Sequence, residues 1–250
     1  NTAVKAANGE FLAFFDDDDF SRNSRIKVQL ETIQRFEKKL GTKNIACYAS
    51  GTRVYENGYR FDAKAIGSEY PTPPHGQDVA KYLLLNIRKK EYFYGAGTPT
   101  SALMIRTQNI RDVGGFDPKF RRVEDIDLAV RLALSGCYFI GSEENLVTRE
   151  MTQSADKSSN INLKFEQQLV QKYKSFLEGQ GFFYHAYNWP KLRYHHFEKQ
   201  YFKFLYVLIL LLIKNPAITA NHLIKAGPKR LIHESKMNAS RCLSANHKPR

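Results

Sequence analysis

Cysteine is scarce in this chain of 250 residues. Cys47, Cys137 and Cys242 are odd in number, lie far apart and form no Cys-x-x-Cys pair. That excludes a zinc knuckle and a disulfide framework, and fits reduced thiols in a cytoplasmic protein. There is one tryptophan, Trp189. No internal repeat or low-complexity tract is present. Long apolar runs are missing too: the longest, Phe204 to Ile213, ends at Lys203 and Lys214, short of the ~18 residues a spanning helix needs. The first fifteen residues do not form a signal peptide, because Glu10 comes early and the apolar run after it is only five residues long. There is no Gly-x-Ser-x-Gly elbow, and Gly95-Ala96-Gly97-Thr98 lacks the Gly-Lys-Ser/Thr ending of a P-loop. That stretch is better read as an ordinary loop.

Apolar residues make up 42% and charged residues 25%, enough for a sizeable core and too apolar for disorder. The net charge is +13, but it is unevenly spread. Residues 191–250 hold twelve Lys and Arg against two Glu, which leaves +10 there and +3 for the other 190 residues. A basic tail without a recognisable DNA- or RNA-binding motif argues against a specific nucleic-acid partner.

The pattern along the chain is α/β. Asn1 to Gly9 reads as a helix. Glu10 to Phe15 reads as a strand buried on both faces of a parallel sheet. Ser24 to Leu40 is amphipathic, with Ile26, Leu30, Ile33, Phe36 and Leu40 at helical spacing before Gly41. Ile45 to Tyr55 reads as a strand that enters a hairpin at Asn57-Gly58. Asp78 to Arg88 is predicted helical, Ser101 to Arg106 a strand, and Asp125 to Leu134 a helix stopped by Gly136. Cys137 to Ile140 and Leu146 to Arg149 read as two short strands. A helical, basic region follows. The division predicted is 1–155 and 156–250. A pattern that opens in mid-sequence of an α/β unit suggests an N-terminally truncated fragment.

Two segments carry chemistry. Asp16-Asp17-Asp18-Asp19 follows the first apolar run directly. Adjacent carboxylates at a strand end repel unless a cation offsets them, and oxygen donors suit Mg²⁺ or Mn²⁺ shared with a diphosphate. A solvated acidic loop that caps the next helix is an equal alternative at this point. The second segment is Gly114-Gly115-Phe116-Asp117, then Glu124-Asp125-Ile126-Asp127 and Arg131. The glycine pair suits a tight turn with close backbone approach. The acids suit either complementation of the helix dipole or a general base at a helix start.

Taken in order, these segments resemble the family 2 glycosyltransferases. Ala6 to Asp19 is similar to the stretch that ends in that family's DxD-type motif. Gly114 to Asp117, followed by Glu124 to Leu132, is similar to its Gly-Gly-Phe and Glu-Asp…Arg segments. The resemblance covers residues 1–155. It implies a GT-A fold, the mixed α/β sheet of nucleotide-diphospho-sugar transferases flanked by helices, here with a helical, basic C-terminal extension. It implies a metal-dependent, inverting, hexosyltransferase-type enzyme. Asp16 and Asp18 would be the metal pair, with Mn²⁺ or Mg²⁺, and Asp16, Asp17 and Asp19 would face the donor, the register of the run allowing a shift by one. Asp125 would be the catalytic base, with Glu124, Arg131 and Gly115 supporting it or the acceptor. Partners would be a nucleotide-sugar donor and a glycan or lipid-linked acceptor, in bacterial surface polysaccharide or lipopolysaccharide biosynthesis. The family's first segment is absent here, and so is the His that many relatives carry after the last strand: Arg149 to Ser154 contains none. The alternative enzyme is another Mg²⁺-dependent nucleotidyl or phosphoryl transferase, which would not need Glu124, Asp125 and Arg131. A noncatalytic nucleic-acid- or membrane-binding protein is the alternative outside enzymes.

Phe204 to Ile213 has two readings. One is a helix packed on the protein body. The other is an interfacial helix on an anionic membrane, the inner face of the cytoplasmic membrane, aided by Lys199, Lys203, Lys214, Lys225, Lys229 and Arg230. Adjacent His195 and His196 do not share a helix face and are read as surface and packing residues.

Overall fold

In a computed structural model the described residues are 1–69, 71–151 and 158–225, with positions 227, 228, 232 and 235 beyond them. Cys242, Lys229 and Arg230 lie outside that set. The chain divides into two compact units. The first takes in 1–83, 88–119 and 124–152. The second takes in 84–87, 120–123 and the later helices.

The first unit is a six-stranded mixed sheet flanked by helices. Its strands are β1 (Phe11–Ala13), β2 (Asp19–Ser21), β3 (Ile45–Tyr55), β4 (Arg60–Ala63), β5 (Leu103–Arg106) and β6 (Tyr138–Met151). The order is β1-β5-β3-β6-β2, with β4 also on β3. Only β3 and β6 run parallel. The helices are α1 (Thr2–Ala6), α2 (Arg25–Leu40), α3 (Gly76–Leu85), α4 (Thr107–Asp112) and α5 (Glu124–Leu134).

The mixed α/β architecture agrees with the sequence pattern, and three local expectations are corrected. First, β1 is half-buried and pairs antiparallel with β5 at the end of the sheet order. An apolar run signals burial but is silent on pairing direction. Second, residues 138–151 form one strand. It bends where its register with β3 shifts around Ser50. There the Ser50 amide donates to Ser142 Oγ (2.8 Å), and the Ser50 hydroxyl donates to the Ser142 carbonyl. Gly51 follows, and a Cβ there would lie 2.4 Å from the Val147 carbonyl oxygen. Third, α2 is rotated from the expected stripe. Ile33 and Phe36 are buried as predicted, but Ile26 is exposed while Arg25 and Gln29 are buried. The polar pair at the start of the helix takes the inward positions because it has backbone partners there.

The core of this unit joins Ile33 and Phe36 of α2 to Ile45, Cys47, Met104 and Ile140 of the sheet. Leu128, Ala129, Val130, Leu132 and Ala133 bury the inner face of α5. The Asn57-Gly58 hairpin forms as read, with Gly58 at φ +78° and Tyr55 N–H donating to Tyr59 O. Burial pushes the Cys47 thiol up to about 12 and raises that of Cys137, so both are inert, protonated packing groups.

The second unit is helical: α6 (Ser159–Lys172), α7 (Lys174–Gly179), α8 (Phe183–Phe197), α9 (Tyr201–Lys214) and a further helical stretch over 216–225. Leu169, Val170, Leu177, Ala186, Leu192, Leu211 and Ile218 form its interior. His185 is buried there, with Nδ1 at 3.2 Å from Thr219 Oγ1 and Nε2 at 3.4 Å from His222 Nδ1. Trp189 stacks on His222 at 3.7 Å.

Candidate active site

The acidic run sits where the chain leaves β1 and turns into β2. The Asp19 amide donates to the Asp16 carbonyl (3.3 Å), so Asp17 and Asp18 form the tip of a tight turn. Asp16, Asp17 and Asp18 are exposed. Asp19 differs from them. Its carboxylate accepts from Ser101 Oγ (3.0 Å) and pairs with Arg149 Nε at 3.3 Å. Burial is the largest influence on it and pushes its pKa up, against the pull of Ser101 and Arg149, while Asp16 and Asp18 push the same way as burial.

Beneath the turn lies a buried cation, Arg25, which is 1% exposed. It donates to Gln29 Oε1 (3.0 Å), Ser21 Oγ (3.0 Å) and the Phe14 carbonyl (2.8 Å), and it lies 4.3 Å from the centre of the Phe15 ring. Gln29 in turn donates to the carbonyls of Cys47 and Ala102. This network fixes the end of β1 against β3 and the segment before β5. Burial first, and then Arg149, lowers the Arg25 pKa to about 10. Burial lowers that of Arg149 as well. Two desolvated guanidiniums therefore lie near Asp16 and Asp19, and opposite charges offset part of the cost of burying each other.

The second motif is built on α5. Its first turn holds Glu124, Asp125 and Asp127. Val123 immediately before it has φ +59°, a costly conformation for a β-branched residue. Asp125 is partly buried, and its Oδ1 accepts from the Ile126 amide at 2.7 Å. It therefore lies at the positive end of the helix dipole. Arg131 pairs with fully buried Asp127 at 2.9 Å and donates to the Val113 carbonyl. This ties α5 to the Gly114-Gly115 turn. Gly115 has φ +67°, and a Cβ there would sit 2.6 Å from Asn1 Oδ1. That oxygen accepts from the Phe116 amide, and Asn1 Nδ2 donates back to the Phe116 carbonyl.

The two motifs meet. The ring of Phe14, two residues before Asp16, packs edge-on against Phe116 at 5.8 Å. On the other side, Arg149 is within electrostatic range of Asp16, Asp19 and Asp125. Arg149 also lines a cleft, together with Tyr48, Thr52, Arg53, Lys64 and Gly97. Arg53 donates to the Ala96 carbonyl at 3.1 Å and Lys64 to the Glu143 carbonyl at 2.6 Å. The Gly95–Gly97 loop thus forms a cleft wall. A Cβ at Gly95 would lie 2.3 Å from the Lys64 carbonyl oxygen.

Sequence reasoning missed Arg25, Arg149, Ser101 and Arg53. Only Arg25 left a trace: with Gln29, four residues on, it adjoins the apolar face of α2. Among the described residues, no group of three His, Cys, Asp or Glu side chains converges as a metal-ligand set.

No protein-family model and no curated protein matches this chain. It is similar to three solved structures from S. aureus. TarS 1–349 matches at 14% identity and TM-score 0.45 over 69% of this chain and 43% of that one. TarS 1–349 in complex with UDP matches at 17% identity and TM-score 0.47 over 80% and 51%. A longer TarS structure matches at 16% identity and TM-score 0.41 over 69% and 26%. This chain therefore spans about half the length of those proteins, or less.

Proposed function

We propose that this chain is a glycosyltransferase that moves a sugar from a nucleoside-diphosphate donor to an acceptor hydroxyl, with inversion at the anomeric carbon. One observation carries the reading: two acidic motifs far apart in the sequence come together, with Phe14 against Phe116 at 5.8 Å and Arg149, paired with Asp19 at 3.3 Å, near Asp16 and Asp125.

Asp16 and Asp18 are the residues that would hold Mn²⁺ or Mg²⁺. The donor set fits. Both are exposed carboxylates on one turn, and Asp19 is drawn away to Ser101 and Arg149. A hard divalent ion bound by one or two carboxylates and a ligand diphosphate needs no protein cage of three. When bound, such an ion offsets the charge that develops on the leaving diphosphate. Asp125 accepts the proton of the attacking hydroxyl from its place in the first turn of α5. Glu124 flanks the acceptor. Asp17 faces the donor from the turn. Arg131 and Gly115 hold α5 and the glycine turn in place. Arg149 holds the two acidic segments together and pulls the Asp19 pKa down against burial. The lipid-linked or glycan acceptor, the bacterial surface-polysaccharide setting and the cytoplasmic location rest on the resemblance to family 2 glycosyltransferases.

The test is a panel of nucleotide sugars with Mn²⁺ or Mg²⁺, read as nucleoside-diphosphate release and as the anomeric configuration of the product by NMR. Release that requires the ion, with an inverted product, is expected. A retained configuration, or release that ignores chelation, contradicts the mechanism.

A further inference from the structure

The longest apolar run of the chain does not go into a core. On α9 only Leu211 is fully buried, with Phe204, Val207 and Leu208 half-buried beside it. The opposite side is open. Phe202 is 94% exposed, Ile213 69% and Tyr206 65%, and Tyr201, Leu205, Ile209 and Leu212 are exposed with them. At 100° per residue these seven side chains fall within an arc of about 140°. A helix that needed only to pack on its neighbours would carry polar residues on that arc. Among the described residues no helix is long and apolar enough to cross a membrane, and α9 is only about 21 Å long.

Charge around this face narrows what would cover it. From residue 199 to residue 233 there is no Asp or Glu, while Lys199, Lys203, Lys214 and Lys225 are all present and exposed. Lys203 and Lys214 stand at the two ends of α9 on the flank of the apolar arc, where long stems can lie along apolar surface and place the ammonium groups at headgroup level. A protein partner for such a face would have to be both apolar and acidic. A bilayer with anionic headgroups supplies both at once. We propose that α9 lies in the plane of an anionic membrane, with Phe202, Leu205, Tyr206, Ile209 and Ile213 inserted at the headgroup–acyl boundary and the flanking lysines on the phosphates. This surface stands independently of the glycosyltransferase reading.

The test is co-sedimentation of the full chain with vesicles of phosphatidylcholine alone and with one quarter phosphatidylglycerol, at low and high NaCl. Binding is expected to need phosphatidylglycerol and to weaken with salt. Replacing Lys203, Lys214 and Lys225 by Gln should weaken it by about 100-fold. The triple change Phe202→Ser, Ile209→Ser, Ile213→Ser should weaken it by about tenfold or more even at low salt. All three sites are exposed, so the fold should survive, as far-UV circular dichroism will report. A separate reporter, Phe202→Trp, should be quenched by brominated acyl chains. A chain that stays in the supernatant with every vesicle overturns the proposal, as does unchanged binding of the serine variant. A serine variant that converts a dimer to a monomer, with no vesicle binding in either form, overturns it in favour of a second copy on this face.

Discussion

The sheet unit and the helical unit treat polar and apolar groups in opposite ways. In the sheet unit, charge is drawn inward. Arg25 is 1% exposed, Asp127 is fully buried, and Asp19 and Arg149 are largely covered. Each has a named partner. In the helical unit, among the described residues, the buried charged-type side chain is His185, held by Thr219 and beside His222, while the most apolar segment of the chain faces outward. The same composition serves two purposes. A buried, satisfied polar network fixes geometry where reacting groups must be held. An apolar surface with no core to cover is a surface for something else.

That comparison can be broken experimentally. The largest effect is expected at Asp125. Asp125→Asn keeps shape and removes the base, so turnover should fall by about 10²–10⁴-fold with the donor KM little changed. A loss confined to KM would make Asp125 a binding residue instead. Next is the network under the turn. Arg25→Met leaves the Phe14 carbonyl and Gln29 Oε1 without their donor and should cost about 3 kcal/mol in a urea titration. A cost near zero would mean that the inward charges are ornamental to the fold.

A similar magnitude is expected in the helical unit, but with pH as the variable. Burial lowers His185 from 6.5 to about 4. The unfolded chain therefore binds a proton between those values that the folded chain refuses. Stability should be full above pH 6.5 and fall as pH drops towards 4, by on the order of 3 kcal/mol at the lower end. His185→Gln should flatten that slope, and a wild-type curve flat over the window would contradict the assignment. The smallest effect is at the glycine turn. Gly115→Ala must adopt φ +67° and meet Asn1 Oδ1, and should cost about 1 kcal/mol. Asn1→Gly in the same background should recover part of it.

The elements that sequence reasoning reached are those with a local cause. The period of α5, the strand at Ile45 to Tyr55 and the Asn57-Gly58 hairpin depend on neighbours within a few residues. The antiparallel edge position of β1 and the bend of β6 do not. They depend on register with strands elsewhere, and on Ser50 meeting Ser142 across 92 residues. The site divides in the same way. Asp16 to Asp19 and Glu124 to Arg131 are legible because each is a dense local pattern. Arg149, Ser101 and Arg53 are single polar residues in unremarkable segments, and only the folded sheet collects them. Arg131 is legible as part of its local pattern, but its bonds to Asp127 and the Val113 carbonyl emerge only in the fold.

The central claim is that the two acidic motifs form one site with separate tasks. The direct measurement is divalent-dependent nucleotide binding beside donor turnover for wild type, Asp18→Ala and Asp125→Asn. The account predicts that Asp18→Ala loses both, while Asp125→Asn keeps binding and loses turnover. Turnover that survives both substitutions would contradict it.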